Sequence, residues 1–299
     1  MSKVLFLIST LFLSLQVKAS RYDDIVNQLL LIKKNSPNYV NIVSLGKNDQ
    51  DQNILALKIE FPIQNEKINQ LVVAAHHGNE TLSVPVSLEF AGQVLNILKN
   101  PDHPFHTNFK NKRFHVIPAL NISGINNNRR EEYDIEGISH DPNRDYPDAC
   151  NKTKKNFKLK STSLLTRYIY NNKIVSAATV HGYIGTLTFP WGMFTKNTHT
   201  HDHQSFLDLT QYAVKANSYE VGTHADLIYP AEGSFEDYMY LGFGIWTVLL
   251  EIDHNPNISK DANSLVRFFY ASPNSRSNQH QHTADCKSMR RNYTPMSRP

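Results

Sequence analysis

With 299 residues, 40% of them apolar and 19% charged, the chain is long enough for one large core and too apolar for disorder. Its formal charge of +4 counts two lysines, Lys3 and Lys18, near the N-terminus; the remaining +2 is too weak a bias for nucleic acid. There are two cysteines, Cys150 and Cys286, and no C-x-x-C pair, which excludes a zinc ribbon or a thioredoxin-like site.

The chain opens with Met1-Ser2-Lys3, an apolar run from Val4 to Val17, and then Lys18-Ala19-Ser20. A basic start, an apolar stretch and small residues at the end predict a signal peptide over residues 1–19, cleaved after Ala19. The run is too short to span a bilayer comfortably, so the mature protein is expected to be secreted or periplasmic, with no lasting membrane insertion. Export permits a Cys150–Cys286 disulfide, with two unpaired buried thiols as the alternative. The expected organisation is one domain over residues 20–275 and a C-terminal tail over residues 276–299.

Arg21 to Lys34 places Ile25, Leu29, Leu30 and Ile32 at helical spacing and predicts an amphipathic helix. Short β-rich runs follow at Val40–Val43 and Ile54–Ile59. Leu71–Ala75 is almost wholly apolar, as a central strand covered on both faces should be. Ser83–Leu98 reads as a helix ended by Asn100-Pro101, and Phe114–Ile117 as a strand. Ser161–Tyr170, Gln204–Ala216 and Asp261–Tyr270 read as helices, Ile174–Val180 and Gly244–Ile252 as strands. This alternation predicts a single α/β domain: a mixed, mostly parallel twisted sheet with helices on both faces.

Ligands of such sheets bind outside the carboxyl ends of the strands. His76-His77 follows the Leu71–Ala75 strand, His181 ends the Ile174–Val180 strand, and Glu251 ends the last strand. A catalytic zinc needs about three protein ligands and keeps one position open. His77-Gly78-Asn79-Glu80 offers an imidazole and a carboxylate three residues apart, and His181 could complete a His₂Glu set. H-x-x-E alone is a weak pattern; its joint placement with His181 and Glu251 gives it weight.

The series His77-Gly78-Asn79-Glu80, Asn121-Ile122-Ser123-Gly124, Asp141-Pro142-Asn143-Arg144-Asp145-Tyr146-Pro147, Val180-His181-Gly182-Tyr183 through Phe189-Pro190-Trp191-Gly192, Ile228-Tyr229-Pro230-Ala231-Glu232-Gly233 and Leu250-Glu251-Ile252-Asp253 occurs in one order. It resembles the zinc metallocarboxypeptidases of the carboxypeptidase A/B type over about Arg21 to Tyr270. The resemblance implies one Zn²⁺ held by His77, Glu80 and His181, with Asp141 orienting the first histidine and Glu251 as general base. It implies that an arginine polarises the scissile carbonyl; Arg130 is favoured over its neighbour Arg129. Asn143 and Arg144 match the pair that grips a peptide's terminal carboxylate, Tyr229 the tyrosine that closes over it, and Tyr183 a residue of the cleft wall. Glu236, seven residues after Tyr229, stands where the family places the floor of the side-chain pocket. An acid there implies a preference for C-terminal Lys or Arg.

Two departures stand out. Asn79 occupies a position where the family often has arginine, and Asn121–Gly124 lacks the usual proline and aspartate; neither removes a catalytic group. The implied partners are peptide or protein C-termini, and no nucleic acid. A peptidoglycan stem-peptide hydrolase on the same scaffold is the alternative enzyme, and an inactive binding relative the non-enzyme one. His199, His201 and His203 are expected on an exposed loop and not at a second metal site.

Overall fold

The computed structural model describes residues 21–63, 65–148, 155–193 and 198–280. The leader and both cysteines lie outside these residues. Among the described residues no helix is long and apolar enough to cross a membrane.

In chain order, α1 (Arg21–Asn35) leads into β1 (Val40–Lys47), β2 (Asn53–Glu60) and β3 (Ile68–Ala74). Next come α2 (Ser83–Lys99), α3 (His106–Phe109), β4 (Lys112–Ile117), α4 (Ile122–Asn127) and the hairpin β5 (Glu132–Tyr133) and β6 (Ser139–His140). The second half holds α5 (Lys160–Asn171), β7 (Ser176–Gly182), β8 (Thr186–Phe189), α6 (His203–Ala213), β9 (Glu220–Thr223), α7 (His224–Leu227), α8 (Phe235–Phe243), β10 (Trp246–Ile252) and α9 (Ile258–Ala271). The main sheet runs β1-β2-β4-β3-β7-β10-β8-β9. Pairs β3/β4, β3/β7, β7/β10 and β8/β9 are parallel, while β1/β2, β2/β4 and β8/β10 are antiparallel. The expected mixed, mostly parallel sheet is the one found.

Both faces of the sheet are covered. One carries α2, α6 and α9, whose Phe90, Phe206 and Phe269 are fully buried against Val72, Val180 and Leu250. The other carries α1, α4, α5 and α8 through Ile25, Ile122, Leu165 and Met239, packed with Leu71, Val73 and Ala177. This double cover explains why β3 and β10 read as continuous apolar runs rather than as alternation. Burying each such aliphatic or aromatic side chain contributes about 1.5–3 kcal/mol.

Several elements escaped the sequence reading. The edge pair β8 and β9 has four residues per strand, too few for a periodic signal. Helix α8 has a readable start, Ser234-x-x-Asp237, with the Ser234 side chain accepting from the Asp237 N–H, and it ends on Gly244 at φ 67°. Its apolar and acidic residues hid that signal. The packed chain also runs past residue 275. The Ser275 carbonyl accepts from Trp246 Nε1, Arg276 donates to Ile174 O, and His280 Nδ1 bonds Leu241 O at 2.8 Å. Nor is the His199–His203 segment simply an exposed loop. Thr200 and Asp202 within it are buried, and Asp202 accepts from Tyr240 and Ser277.

Gly78, between His77 and Glu80, is pressed onto α4. A Cβ there would lie 2.0 Å from the Gly124 carbonyl carbon and 2.3 Å from the Ile125 nitrogen, both backbone atoms that cannot swing aside. Gly92, inside α2, would put its Cβ in open space. Gly78→Ala is expected to lower unfolding free energy by about 1–3 kcal/mol or more. Gly92→Ala should raise it by about 0.5–1 kcal/mol. Urea unfolding of the two variants beside wild type checks both signs.

Candidate active site

Three parallel strands end at one place. In the β7/β10 register His181 stands opposite Glu251, and in the β3/β7 register Ala74 stands opposite Val180. Ala75, just beyond β3, adopts φ 56°, a left-handed conformation costly for a residue with a Cβ, and its carbonyl is held by the Asn121 N–H. That turn carries His76 and His77 off the strand.

His77, Glu80 and His181 offer one ligand atom each within 4.8 Å of one another, and all three are buried. His77 Nδ1 lies 2.7 Å from Glu80 Oε1, and His181 Nδ1 lies 3.0 Å from Glu80 Oε2. The two Nδ1 atoms are 3.2 Å apart. On the far edge of its ring, His77 Nε2 is 3.0 Å from Asp141 Oδ1. A carboxylate there accepts a hydrogen bond from the Nε2–H and leaves Nδ1 as a lone pair. Two imidazole nitrogens and a carboxylate converging in a buried space are the borderline-soft donor set that suits zinc.

Asp141 organises its side of the cleft. It accepts from Arg130 Nε at 3.0 Å and Arg130 Nη2 at 2.8 Å, and from the Asn143 N–H at 2.9 Å. Burial alone would raise its carboxyl, but His77, Arg144 and Arg130 hold it well below the usual carboxylate range. Glu80 behaves likewise: burial opposes its charge, His181 and His77 more than offset that, and it sits at about 2. Arg130 also reaches to 3.6 Å from Glu80 Oε1, whereas Arg129 turns outward to the Tyr133 hydroxyl.

Glu251 has the opposite environment. Burial pushes its carboxyl up to about 7, with His181 lowering it and Glu80 raising it, and its Oε2 has no hydrogen-bond partner among the described residues. A buried carboxyl near neutrality can gain or lose a proton at ordinary pH.

Beyond Asp141, Asn143 is buried and its Oδ1 accepts from the first N–H of α8, at Phe235, at 2.8 Å. With the oxygen committed, its NH₂ is left to donate. Arg144 Nη2 donates to the Tyr229 hydroxyl at 2.9 Å, and its guanidinium lies 5.7 Å from the centre of that ring. Tyr229 is 41% exposed, at the mouth of the site. The Tyr183 hydroxyl lies 3.4 Å from the Leu82 N–H, two residues past Glu80. Glu236 does not stand on the surface as an acidic pair with Asp237; both are buried. Glu236 accepts from Thr179, and Asp237 accepts from the backbone N–H groups of Gly192 and Met193.

The family model for zinc carboxypeptidases matches residues 25–282. The chain belongs to that family. Carboxypeptidase SOL1 of Arabidopsis thaliana is 25% identical over 193 residues, covering 60% of this chain and 38% of that protein. The human carboxypeptidase N catalytic chain is 24% identical over 107 residues, covering 35% and 23%. The chain therefore spans well under two thirds of either relative. Among solved structures, thrombin activatable fibrinolysis inhibitor superimposes with a TM-score of 0.73 at 17% identity, over 83% of this chain and 72% of that one. Carboxypeptidase A from Helicoverpa armigera gives 0.70 at 15%, over 84% and 71%. At these identities the likeness is one of fold.

Within this member of the family the eleven residues singled out from sequence gather around one end of the sheet, and Arg129, the rival to Arg130, turns outward. Four neighbours were given no role from the sequence. His76 stacks on His181 with ring centres 5.5 Å apart and bonds the Tyr146 hydroxyl at 3.0 Å. His224 is buried against Tyr229 and Gly192. Thr179 and Asp237 hold the wall behind. For His76 adjacency to His77 was a signal; for His224 and Thr179 the chain offers none.

The hairpin between Arg130 and Asp141 is rooted by Glu132, fully buried and bonded by Ser161. Burial, opposed by the Ser161 hydrogen bond and reinforced by Asp49 and Asp145, pushes its carboxyl up to about 8. A raised native value means that the folded state holds a proton the unfolded chain releases from about pH 4.3. The contribution of Glu132 to wild-type stability should therefore fall as pH rises from about 4.3 to about 8. Glu132→Gln lacks that dependence. Its stability relative to wild type should be near constant below about pH 4 and gain on the order of a few kcal/mol by about pH 8. Denaturant unfolding of both proteins across that range measures the difference.

Proposed function

We propose that this chain is a metallocarboxypeptidase that removes the C-terminal residue of peptides, with zinc held by His77, Glu80 and His181. The observation that carries the reading is the convergence of those three side chains beside Glu251, flanked by Asn143, Arg144 and Tyr229. Bound zinc would supply Lewis acidity, polarising a carbonyl and lowering the pKa of water. Glu251 takes a proton from the attacking water and passes it to the departing amine. Arg130, steadied by Asp141, turns its remaining N–H groups to the oxygen on which negative charge develops. The Asn143 amide and the Arg144 guanidinium meet the substrate's terminal carboxylate. A planar fork and an NH₂ donor suit two carboxylate oxygens, and this gives removal from the end its physical basis. Tyr229, exposed and bonded to Arg144, is placed to close over that end. Tyr183 lines the cleft near Leu82. A preference for C-terminal Lys or Arg would follow if Glu236 faced the substrate side chain. Export, by way of the leader, belongs to the same proposal.

Wild type should release single amino acids from peptide C-termini, stop on treatment with a zinc chelator and recover with added Zn²⁺. Full activity after rigorous metal removal would end the reading. Glu251→Gln should lower kcat by about 10²–10⁴-fold with zinc content unchanged. Arg130→Ala should cost about 10²–10³-fold in kcat/KM. Arg129→Ala, whose side chain points away, should stay within a few-fold of wild type. Amidation of the peptide C-terminus should abolish release by wild type.

A further inference from the structure

Each metal-facing histidine needs a partner for its other ring nitrogen. His77 has Asp141 at 3.0 Å. His181 Nε2 is buried with no hydrogen-bond partner among the described residues. A buried imidazole N–H left unpaired is costly, and metal-bound histidines almost always donate that N–H to a carboxylate, a carbonyl or water.

One carboxylate is placed to receive it. Thr179 and His181 are alternate residues of β7, so their side chains share a face of the sheet, the face on which α8 packs. Glu236, in the first turn of α8, lies on Thr179: its Oε1 accepts from Thr179 Oγ1 and its backbone carbonyl accepts from Thr247 Oγ1 at 3.0 Å. Its other oxygen, Oε2, is buried with no hydrogen-bond partner among the described residues. After Glu80 and Glu251, Glu236 is the next carboxylate whose charge is felt at the His181 ring. One side chain thus has a spare acceptor and its neighbour a spare donor, enclosed by the same strand and helix.

We propose that Glu236 is a positioning residue for His181. Its Oε2 receives the His181 Nε2–H through one buried water, where Asp141 receives that of His77 directly. The metal centre is then framed by two carboxylate–histidine pairs from opposite sides. Each fixes which ring nitrogen carries the proton and leaves both Nδ1 atoms as lone pairs. Oε1 is held by Thr179, so the carboxylate cannot rotate away. The inference rests on His181 being a metal ligand. It removes Glu236 from the substrate side-chain pocket, and with it the basis for a Lys or Arg preference.

The test uses Glu236→Gln and Thr179→Val in the full chain, the second removing the anchor and leaving the acid. Zinc affinity is measured by competition with a chelator, and kcat/KM on peptides ending in Lys and in Leu. Zinc binding should weaken about 10–100-fold in Glu236→Gln and by a smaller factor in Thr179→Val. The Lys-to-Leu ratio should not move. In zinc-loaded wild type the His181 Nε2–H should resonate downfield and exchange slowly; in Glu236→Gln it should move upfield, a change that loosened packing alone would not confine to one imidazole. Zinc affinity within about threefold of wild type in Glu236→Gln overturns the proposal. If the Lys-to-Leu ratio collapses at the same time, Glu236 belongs to the pocket. Should Glu236→Gln fail to fold, unchanged zinc affinity in Thr179→Val overturns it instead. Wild type that takes up no zinc would instead remove the metal-site reading on which the inference stands.

Discussion

Two imidazole nitrogens, His77 Nδ1 and His181 Nδ1, meet 3.2 Å apart in a buried space with the Glu80 carboxylate between them. Two lone pairs at that distance repel unless a proton or a cation lies with them, and burial removes the water that would screen them. The surrounding architecture holds this contact in place. Parallel pairing of β3, β7 and β10 brings the strand ends together, and the left-handed turn at Ala75 swings His77 inward. Gly78 lets the connection lie flat on α4.

The carboxylates around this centre divide by environment. Asp141 and Glu80 have cationic or imidazole partners on the ionised oxygens, and those partners overcome burial. Glu251 and Glu132 are buried with little to favour their charge, so burial prevails and their carboxyls rise. The same residue type is held ionised in one place and near neutrality in another, because the number of donors facing it differs. Asp237 is intermediate. Its oxygens take the Gly192 and Met193 N–H groups, yet burial still pushes it up to about 7, which suits an anchor for the Pro190–Met193 turn.

Legibility in the sequence followed burial pattern. The β3 and β10 strands were readable because a sheet covered on both faces needs unbroken apolar runs, and α1 and α9 because a helix covered on one face needs a 3.6-residue stripe. The short strands β8 and β9 and the helix α8 lacked either signature. The spacing of His77 to Glu80 marked a candidate ligand pair, and the order of motifs after it pointed to a family. The choice between Arg129 and Arg130 could not be made from spacing, since adjacent residues differ only in which way they point. Arg130 folds back onto Asp141, and Arg129 turns out to Tyr133.

Composition and local pattern by themselves determined the α/β class and the strand ends that deliver His77, His181 and Glu251, while the candidate carboxylate-binding residues came from the resemblance to a family. Only the tertiary structure decided what those side chains touch. It buried Glu236 beside Thr179, drew His76 against the His181 ring, and carried the chain past residue 275 into the packed body. The physical reason is that residue type and periodicity act over a few neighbours in the chain. The hydrogen-bond partner of a buried oxygen is set by strand register and helix placement, which join residues fifty to a hundred positions apart.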